Sequence, residues 1–94
     1  MASVYILHSK ELNRFYIGSC KDLSYRIGQH INKDYVNSFT TKAEDWQLFF
    51  FEDELSYSQA RAIEHHIKKM KSVVYINNLS TYPEMMEKLK EKYK

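Results

Sequence analysis

Two short runs of β-branched and aromatic residues near the N-terminus predict a β-hairpin. The runs cover residues 4–7 and 15–18, and a mostly polar segment over residues 9–13 separates them. Such side chains pack well on a pleated surface, so both runs favour strands. Residues 46–51 form a third, almost continuous apolar run, and we expect a buried strand there.

Apolar residues at helical spacing predict two helices in the middle of the chain. Asp22 can cap a helix over about residues 22–32, and its apolar stripe consists of Leu23, Ile27 and Ile31. Ser56 and Gln59 form a capping box at the start of the next helix. The inward stripe of that helix consists of Ala60, Ile63, Ile67 and Met70.

The remaining segments complete the predicted order of elements. Residues 33–45 lack an apolar period, and we expect an exposed loop in which Phe39 packs inward. Residues 73–79 fit either a short strand or a connecting segment. Thr81, Pro83 and Glu84 indicate a C-terminal helix over about residues 82–93, with an apolar face formed by Met85, Leu89 and Tyr93. The order β-β-α-β-α-α predicts an α+β fold with an antiparallel sheet.

Length and composition favour one compact domain. The chain has 94 residues, and we expect residues 1–94 to share a single core. Eight Tyr, five Phe and one Trp supply the large apolar surfaces that so small a core needs. The single cysteine, the lack of a signal-like N-terminus and the lack of a long apolar run favour a soluble, cytoplasmic protein.

The charges are distributed unevenly along the sequence. The net charge is +2, but residues 44–54 contain five acids and no base. The rest of the chain therefore carries about +7, which suits a polyanionic partner such as a nucleic acid.

Three sets of residues are candidates for chemistry, and each also has a purely structural interpretation. Arg26 and His30 lie four residues apart, so a helix places both on one face, where they can bind phosphate or form solvated surface contacts. Glu64 lies at the edge of an inward stripe, where an acid needs a partner. That partner can be Lys68 or Arg61, or a divalent cation such as Mg²⁺.

Tyr5, Tyr16 and Gly18 form the third set, on the predicted hairpin. Tyrosines on adjacent strands are usually core residues with bonded hydroxyls. Gly18 fits either a turn that ends a strand or a close approach of substrate to the backbone. The spacing alone leaves these alternatives open.

The ordered combination of these residues resembles the GIY-YIG nuclease superfamily, especially its small single-domain bacterial members. The matching positions are Val4-Tyr5-Ile6, Tyr16-Ile17-Gly18, Arg26 with His30, and Glu64. The resemblance covers about residues 3–79 and implies a three-stranded antiparallel sheet flanked by helices. Val4 replaces the leading Gly of the first motif, a change that a strand tolerates well.

The resemblance also implies a role for each matching residue. Tyr5, Tyr16, Arg26, His30 and Glu64 would be catalytic. Arg26 would contact the scissile phosphate, and Glu64 would be the metal-binding carboxylate for one Mg²⁺ or Mn²⁺ ion. Tyr5, with Tyr16 or His30 assisting, would orient or deprotonate the attacking water, and His30 is an alternative base.

The implied activity is metal-dependent hydrolysis of phosphodiester bonds in DNA by an endonuclease. Such an enzyme could select particular DNA structures in repair or recombination. RNA would also fit a phosphate-directed site. The residues expected to bind substrate are Gly18, Lys21, Lys68 and Asn77. Asn78 is an alternative to Asn77 as the late asparagine that is common in the family.

Other interpretations of the sequence compete with a nuclease. A catalytically inactive GIY-YIG-fold module could bind nucleic acid through a basic and histidine-containing run, which consists of His65, His66, Lys68, Lys69 and Lys71. A thiol nucleophile formed by Cys20 with His8 or His30 lacks a recognisable third group. A zinc site at His65 and His66 is disfavoured because adjacent helix residues point about 100° apart. A homodimer could form if the strand at residues 46–51 lies at a sheet edge.

Overall fold

The computed structural model describes residues 1–25 and 45–94. The strands are β1 (Ala2–Ser9), β2 (Arg14–Cys20) and β3 (Gln47–Leu55), and the helices are α1 (Tyr57–Met70), α2 (Val73–Thr81) and α3 (Pro83–Lys92). Residues 23–25 begin a further helix, whose first turn Asp22 caps by accepting a hydrogen bond from the Tyr25 N–H at 3.0 Å. The remainder of that predicted helix, the predicted loop and Phe39 lie outside the described residues.

The three strands form one antiparallel sheet in the order β2-β1-β3. The predicted hairpin is confirmed, and its turn closes with Asn13 in the left-handed region at φ 51°. Ser9 organises this turn, because its hydroxyl accepts from the Leu12 N–H and donates to the Asp45 carboxylate at 2.5 Å. This bond and one from the Glu11 N–H keep the pKa of Asp45 below its usual value. The start of β3 is thereby anchored to the hairpin.

The central strand β1 is buried on both faces. One face carries Val4 and Ile6 and packs against the helices, through a cluster that includes Ile63, Ile67, Leu79 and Met86. The other face carries Tyr5 and Leu7, which cluster with Cys20, Trp46, Tyr16 and Leu23. Side chains alternate across a strand, so the sheet separates two apolar layers. The predicted α+β fold, with a three-stranded antiparallel sheet flanked by helices, is confirmed.

The prediction of a buried third strand is wrong in part. Trp46 is buried but precedes β3, and within β3 only Leu55 is fully buried. Leu48 is exposed, and Phe51 is 45% exposed. The reason is topological, because within the described ranges β3 pairs only with β1 and forms an edge of the sheet.

Helix α1 begins as predicted, with a complete capping box between Ser56 and Gln59. Ala60, Ile63 and Ile67 are buried, but Met70 is exposed, so the inward stripe ends one turn early. No helix in the described ranges is long and apolar enough to cross a membrane.

The segment after α1 is helical, so the prediction of a strand or connecting segment at residues 73–79 is wrong. Ser72 caps α2 by accepting from the Tyr75 N–H, and the helix buries Ile76 and Leu79. Val73 and Val74, which suggested a strand, are exposed. Local β propensity is a weak preference that capping and packing override here.

Helix α3 forms as predicted, close to the expected bounds. Pro83 occupies the first turn and Tyr82 is the N-cap, without a side-chain hydrogen bond. The Thr81 hydroxyl instead donates to the Asn77 carbonyl within α2. Met86 and Leu89 are the buried residues of α3, and Met85 and Tyr93 are half-buried.

Candidate active site

Tyr5 and Gly18 face each other across the β1-β2 pair, and the tyrosine ring lies against the glycine. The two residues are register partners, and Tyr5 is 1% exposed. A Cβ atom on Gly18 would lie 2.5 Å from Tyr5 Oη and 2.6 Å from Cζ. No side chain fits at such distances, so this position needs glycine. Packing against Tyr5 therefore accounts for the glycine, and substrate binding at Gly18 stays a prediction.

Tyr16 lies beside this pair on the same face of the sheet. Its ring centroid is 6.5 Å from that of Tyr5 and 6.5 Å from that of Trp46. Tyr16 is half-buried, whereas Tyr5 is enclosed. Of the two tyrosines that the sequence singled out, Tyr16 is the one with direct solvent access.

Glu64 lies on α1, where this helix packs against β2. Its Oε1 accepts a hydrogen bond from the Ser19 hydroxyl at 2.5 Å, and its Oε2 pairs with Lys68 Nζ at 2.6 Å. The side chain is 20% exposed, so solvent still reaches it. Of the two basic candidates, Lys68 is the one that pairs with Glu64, whereas Arg61 lies over the Tyr57 ring.

The donor set around Glu64 fits a single hard cation. Among the described residues, each carboxylate oxygen has one partner, and each can accept a second interaction. Mg²⁺ is bound in proteins by one or two carboxylates and keeps several waters. In the two described ranges no group of three or more His, Cys, Asp or Glu converges, so a many-ligand metal cage is not formed there. A site with one protein carboxylate is the arrangement that these residues support.

The other predicted substrate-binding residues are spread over the molecule. Lys21 follows β2, and its Nζ lies 5.2 Å from the centroid of the Tyr57 ring. Asn77 is exposed on α2, and its carbonyl accepts hydrogen bonds from Ser80 and Thr81. Its neighbour Asn78 is half-buried. The structure thus places Lys21 near α1, while the hydrogen bonds described for Asn77 stay within α2.

Arg26 and His30, which are expected to contact phosphate, lie outside the described residues. The helix that would carry them begins directly before them, at residues 23–25. Their roles remain predictions.

Ser19 belongs to the site, although we did not select it from the sequence. It directly follows Gly18, so strand alternation points its side chain to the opposite face, the one that carries its register partner Val4. Helix α1 covers that face, and there Ser19 meets Glu64. The alternation of side chains along β2 shows that Ser19 faces away from Gly18. Alternation alone does not identify Ser19 as a site residue, because the position of α1 must also be known.

Among the described residues, a zinc site at His65 and His66 and a thiol site of Cys20 with His8 find no support in the geometry, whereas the alternative of Cys20 with His30 lies outside them. His66 Nδ1 lies 2.9 Å from the Tyr93 hydroxyl, between α1 and α3, while His65 is exposed. Cys20 is buried with Tyr5 on one face of the sheet, and His8 packs against Phe15 on the other. A Cys20–His8 pair is therefore wrong.

Comparison with known families agrees with this geometry. The model of the GIY-YIG catalytic domain matches residues 1–77, a range that includes Tyr5, Tyr16, Gly18, Ser19 and Glu64. No curated protein and no solved structure matches the chain significantly.

Proposed function

This chain belongs to the GIY-YIG nuclease family, and from that premise we propose that it is a divalent-metal-dependent endonuclease that hydrolyses phosphodiester bonds in DNA. Nucleases of this family generally use divalent metal ions. The observation that carries the proposal is the Glu64 carboxylate, which Ser19 and Lys68 orient beside the strand that holds Tyr16 and Gly18. A carboxylate that is held in this way and accessible to solvent is suited to bind a metal ion, which can in turn bind a phosphate.

In the proposed mechanism each side chain has a separate task. Glu64 would hold one Mg²⁺ or Mn²⁺ ion, which supplies Lewis-acid stabilisation of charge on the phosphate oxygens. Arg26 would neutralise negative charge on the nonbridging oxygens as the bond breaks. Tyr16, Tyr5 or His30 would orient the attacking water and accept its proton. Tyr16 is more accessible to solvent than Tyr5, and both tyrosines lie on the face of the sheet opposite to α1, the helix that carries Glu64.

A cleavage assay with Glu64→Gln tests this proposal. Supercoiled plasmid and a branched oligonucleotide are incubated with Mg²⁺ or Mn²⁺, and nicked products are quantified on gels. Glu64→Gln keeps the size of the side chain but removes its charge, so we expect cleavage to fall by about 100-fold or more. The branched substrate tests the further proposal of structure-selective cleavage in repair or recombination.

Glu91→Gln is the matched control for this experiment. Glu91 is a well-exposed acid on α3 that pairs only with the equally exposed Lys94 in the described part of the chain. Its replacement also removes one negative charge, and we expect wild-type cleavage rates. Full metal-dependent cleavage by Glu64→Gln would show that the catalytic assignment is wrong.

A second candidate function is nucleic-acid binding without cleavage. The observation that favours it is the Lys68–Glu64 ion pair, in which an ammonium group occupies one side of the carboxylate. Lys69 and Lys71 are exposed close by and could contact phosphates. Tight, salt-sensitive DNA binding by a wild-type protein that cuts neither substrate would support this function.

A further inference from the structure

Two exposed tyrosines border a cleft at the end of β2. Tyr57 is 44% exposed and Tyr25 is 67% exposed, although large aromatic side chains usually cover more of their surface. The cleft has a volume of about 250 Å³, and its other lining residues are Ser19, Cys20, Lys21 and Asp22. Two rings that remain open to water on one concave surface suggest a ligand with a flat, apolar face.

Two cations lie over the Tyr57 ring, and a base that stacks on the ring must displace one of them. Lys21 Nζ is 5.2 Å from the ring centroid and Arg61 Cζ is 5.7 Å from it, so both are within cation–π distance. Tyr57 is the first residue of α1, where the Ser56 capping box fixes the backbone. The aromatic surface is therefore held at a fixed place with positive charge beside it. Asp22, the acid of the cleft, is already engaged in capping the Tyr25 N–H.

This cleft adjoins the proposed catalytic carboxylate. Ser19 is shared by both, because it lines the cleft and donates its hydroxyl to Glu64 Oε1. Arg61 and Glu64 are three residues apart on α1 and are therefore neighbours on the helix surface. A phosphate next to Glu64 would thus place an adjacent nucleotide at the cleft.

We propose that the cleft binds the base of an unpaired nucleotide next to the scissile phosphate, with the base stacked on Tyr57 and the backbone phosphates near Lys21 and Arg61. This inference rests on the proposed nuclease function and specifies its substrate class as DNA with a single-stranded segment at the cleavage point. Bases within a duplex are already stacked, and extracting one costs a few kcal/mol. An unpaired base avoids that cost, and aromatic stacking accepts any base.

Binding measurements with Tyr57→Ala test the proposal. They are made in the Glu64→Gln background, so that cleavage does not interfere, by fluorescence anisotropy with a single-stranded oligonucleotide and with the corresponding duplex. Stacking contributes about 1–3 kcal/mol per base, so we expect Tyr57→Ala to weaken single-strand binding by about 5- to 150-fold. Duplex binding should change by less than about twofold, because paired bases do not enter the cleft. Tyr57→Phe retains the ring and should bind like the parent.

Tyr82→Ala is the matched control, because Tyr82 is similarly exposed but lies at the junction of α2 and α3. It should leave both affinities unchanged. Arg61→Ala should weaken single-strand and duplex binding together and reduce the slope of log affinity against log salt by about 1.

Several outcomes would overturn the proposal. These are an unchanged single-strand affinity in Tyr57→Ala, an equal loss for duplex and single strand, or no measurable single-strand binding by the parent. Failure of the catalytic proposal is recognised separately, as metal-dependent cleavage that persists in Glu64→Gln. Selective loss of single-strand binding in Tyr57→Ala would support the cleft even in that case.

Discussion

At the residue scale, the requirement for glycine at position 18 has a local physical cause. The phenol ring of Tyr5 occupies the space in which a side chain at this position would lie. Tyr5 is enclosed in the sheet and cannot swing outward without exposing its ring. Gly18 and Tyr5, one from each motif, therefore depend on each other, because the ring of Tyr5 fills the space that the glycine leaves open.

Gly18→Ala is expected to destabilise the protein by about 1–3 kcal/mol, because a new Cβ forces Tyr5 or the strand to move. Urea unfolding followed by fluorescence measures this change. Adding Tyr5→Phe to Gly18→Ala should restore little stability, since the ring carbon Cζ remains 2.6 Å from the added Cβ. A loss below about 0.5 kcal/mol in the single variant would contradict this packing explanation.

We expect Ser19 to position Glu64, so that its replacement affects metal binding more than folding stability. Outer hydrogen bonds to metal-binding side chains typically contribute 10- to 100-fold, so Ser19→Ala should raise the Mg²⁺ concentration needed for half-maximal cleavage by about that factor. Saturating Mg²⁺ should recover most of the rate. Ser19→Thr, which keeps a hydroxyl, should resemble the wild type.

Ser80→Ala serves as the control for this measurement. The Ser80 hydroxyl donates only within α2, to the Asn77 carbonyl, among the contacts described for it. Its loss should leave the Mg²⁺ dependence unchanged. The same Mg²⁺ requirement in Ser19→Ala and wild type would mean that Ser19 does not position Glu64.

At the scale of elements, α1 and α3 are joined by a polar contact that makes stability depend on pH. His66 and Tyr93 share a hydrogen bond of 2.9 Å across the two helices. Burial, followed by the positive charges of Lys92 and Lys69, lowers the pKa of His66 below its usual value. The protonated form of His66 is therefore disfavoured in the folded protein.

Stability should decrease on acidification through the titration of His66. The unfolded chain, with the higher histidine pKa of about 6.5, binds the proton more readily. The contribution of neutral His66 to stability is fully present above the pKa of the unfolded state. It is lost as the pH falls through the lower pKa of His66 in the folded state. Urea unfolding at pH 7.5 and pH 5.0 should show a larger loss for wild type than for His66→Gln.

His65→Gln provides the control for this pH dependence. His65 precedes His66 on α1 but is exposed. Its variant should retain the pH dependence of the wild type. An equal loss of stability in wild type and His66→Gln would exclude His66 as the group responsible.

At the scale of the whole molecule, the charges of the described residues are partly separated. Glu52, Asp53 and Glu54 lie on β3 at one edge of the sheet, whereas Arg61 and Lys68 lie on α1, which packs against β2. Lys21 lies between the two sets, because it lines one cleft with Asp53 and Glu54. Glu52 is the acid that pairs with a helix, through Lys90 at 2.7 Å. A polyanion would therefore approach from the β2 side, where the proposed site is located.

The sheet edge at β3 also bears on self-association. Leu48 and Phe51 are exposed there, which agrees with the hypothesis of a homodimer formed through this strand. Asp53 and Glu54 are exposed on the same strand, and the pairing of β3 with β1 contains two irregularities. Charges and bulges on an edge strand oppose pairing with a second copy, so this homodimer remains a hypothesis.

Local patterns in the sequence were sufficient to predict most elements. The hairpin, the capping box of α1 and the apolar face of α3 each depend on residues that are a few positions apart. The order of motif residues also indicated the family. Predictions failed where local preference competed with packing, as at Val73 and Val74, or where burial depended on the neighbours of a strand, as at Phe51.

The sequence by itself determined the periodicities, the caps, the charge asymmetry and the identity of Glu64 as an acid in need of a partner. The tertiary structure decided what that partner is, because Ser19 and Glu64 are 45 residues apart and meet only when α1 packs on β2. It also decided that Tyr25 and Tyr57 share one cleft. Periodicity reports which face of an element is buried, but only the packing of elements brings side chains from distant parts of the chain together.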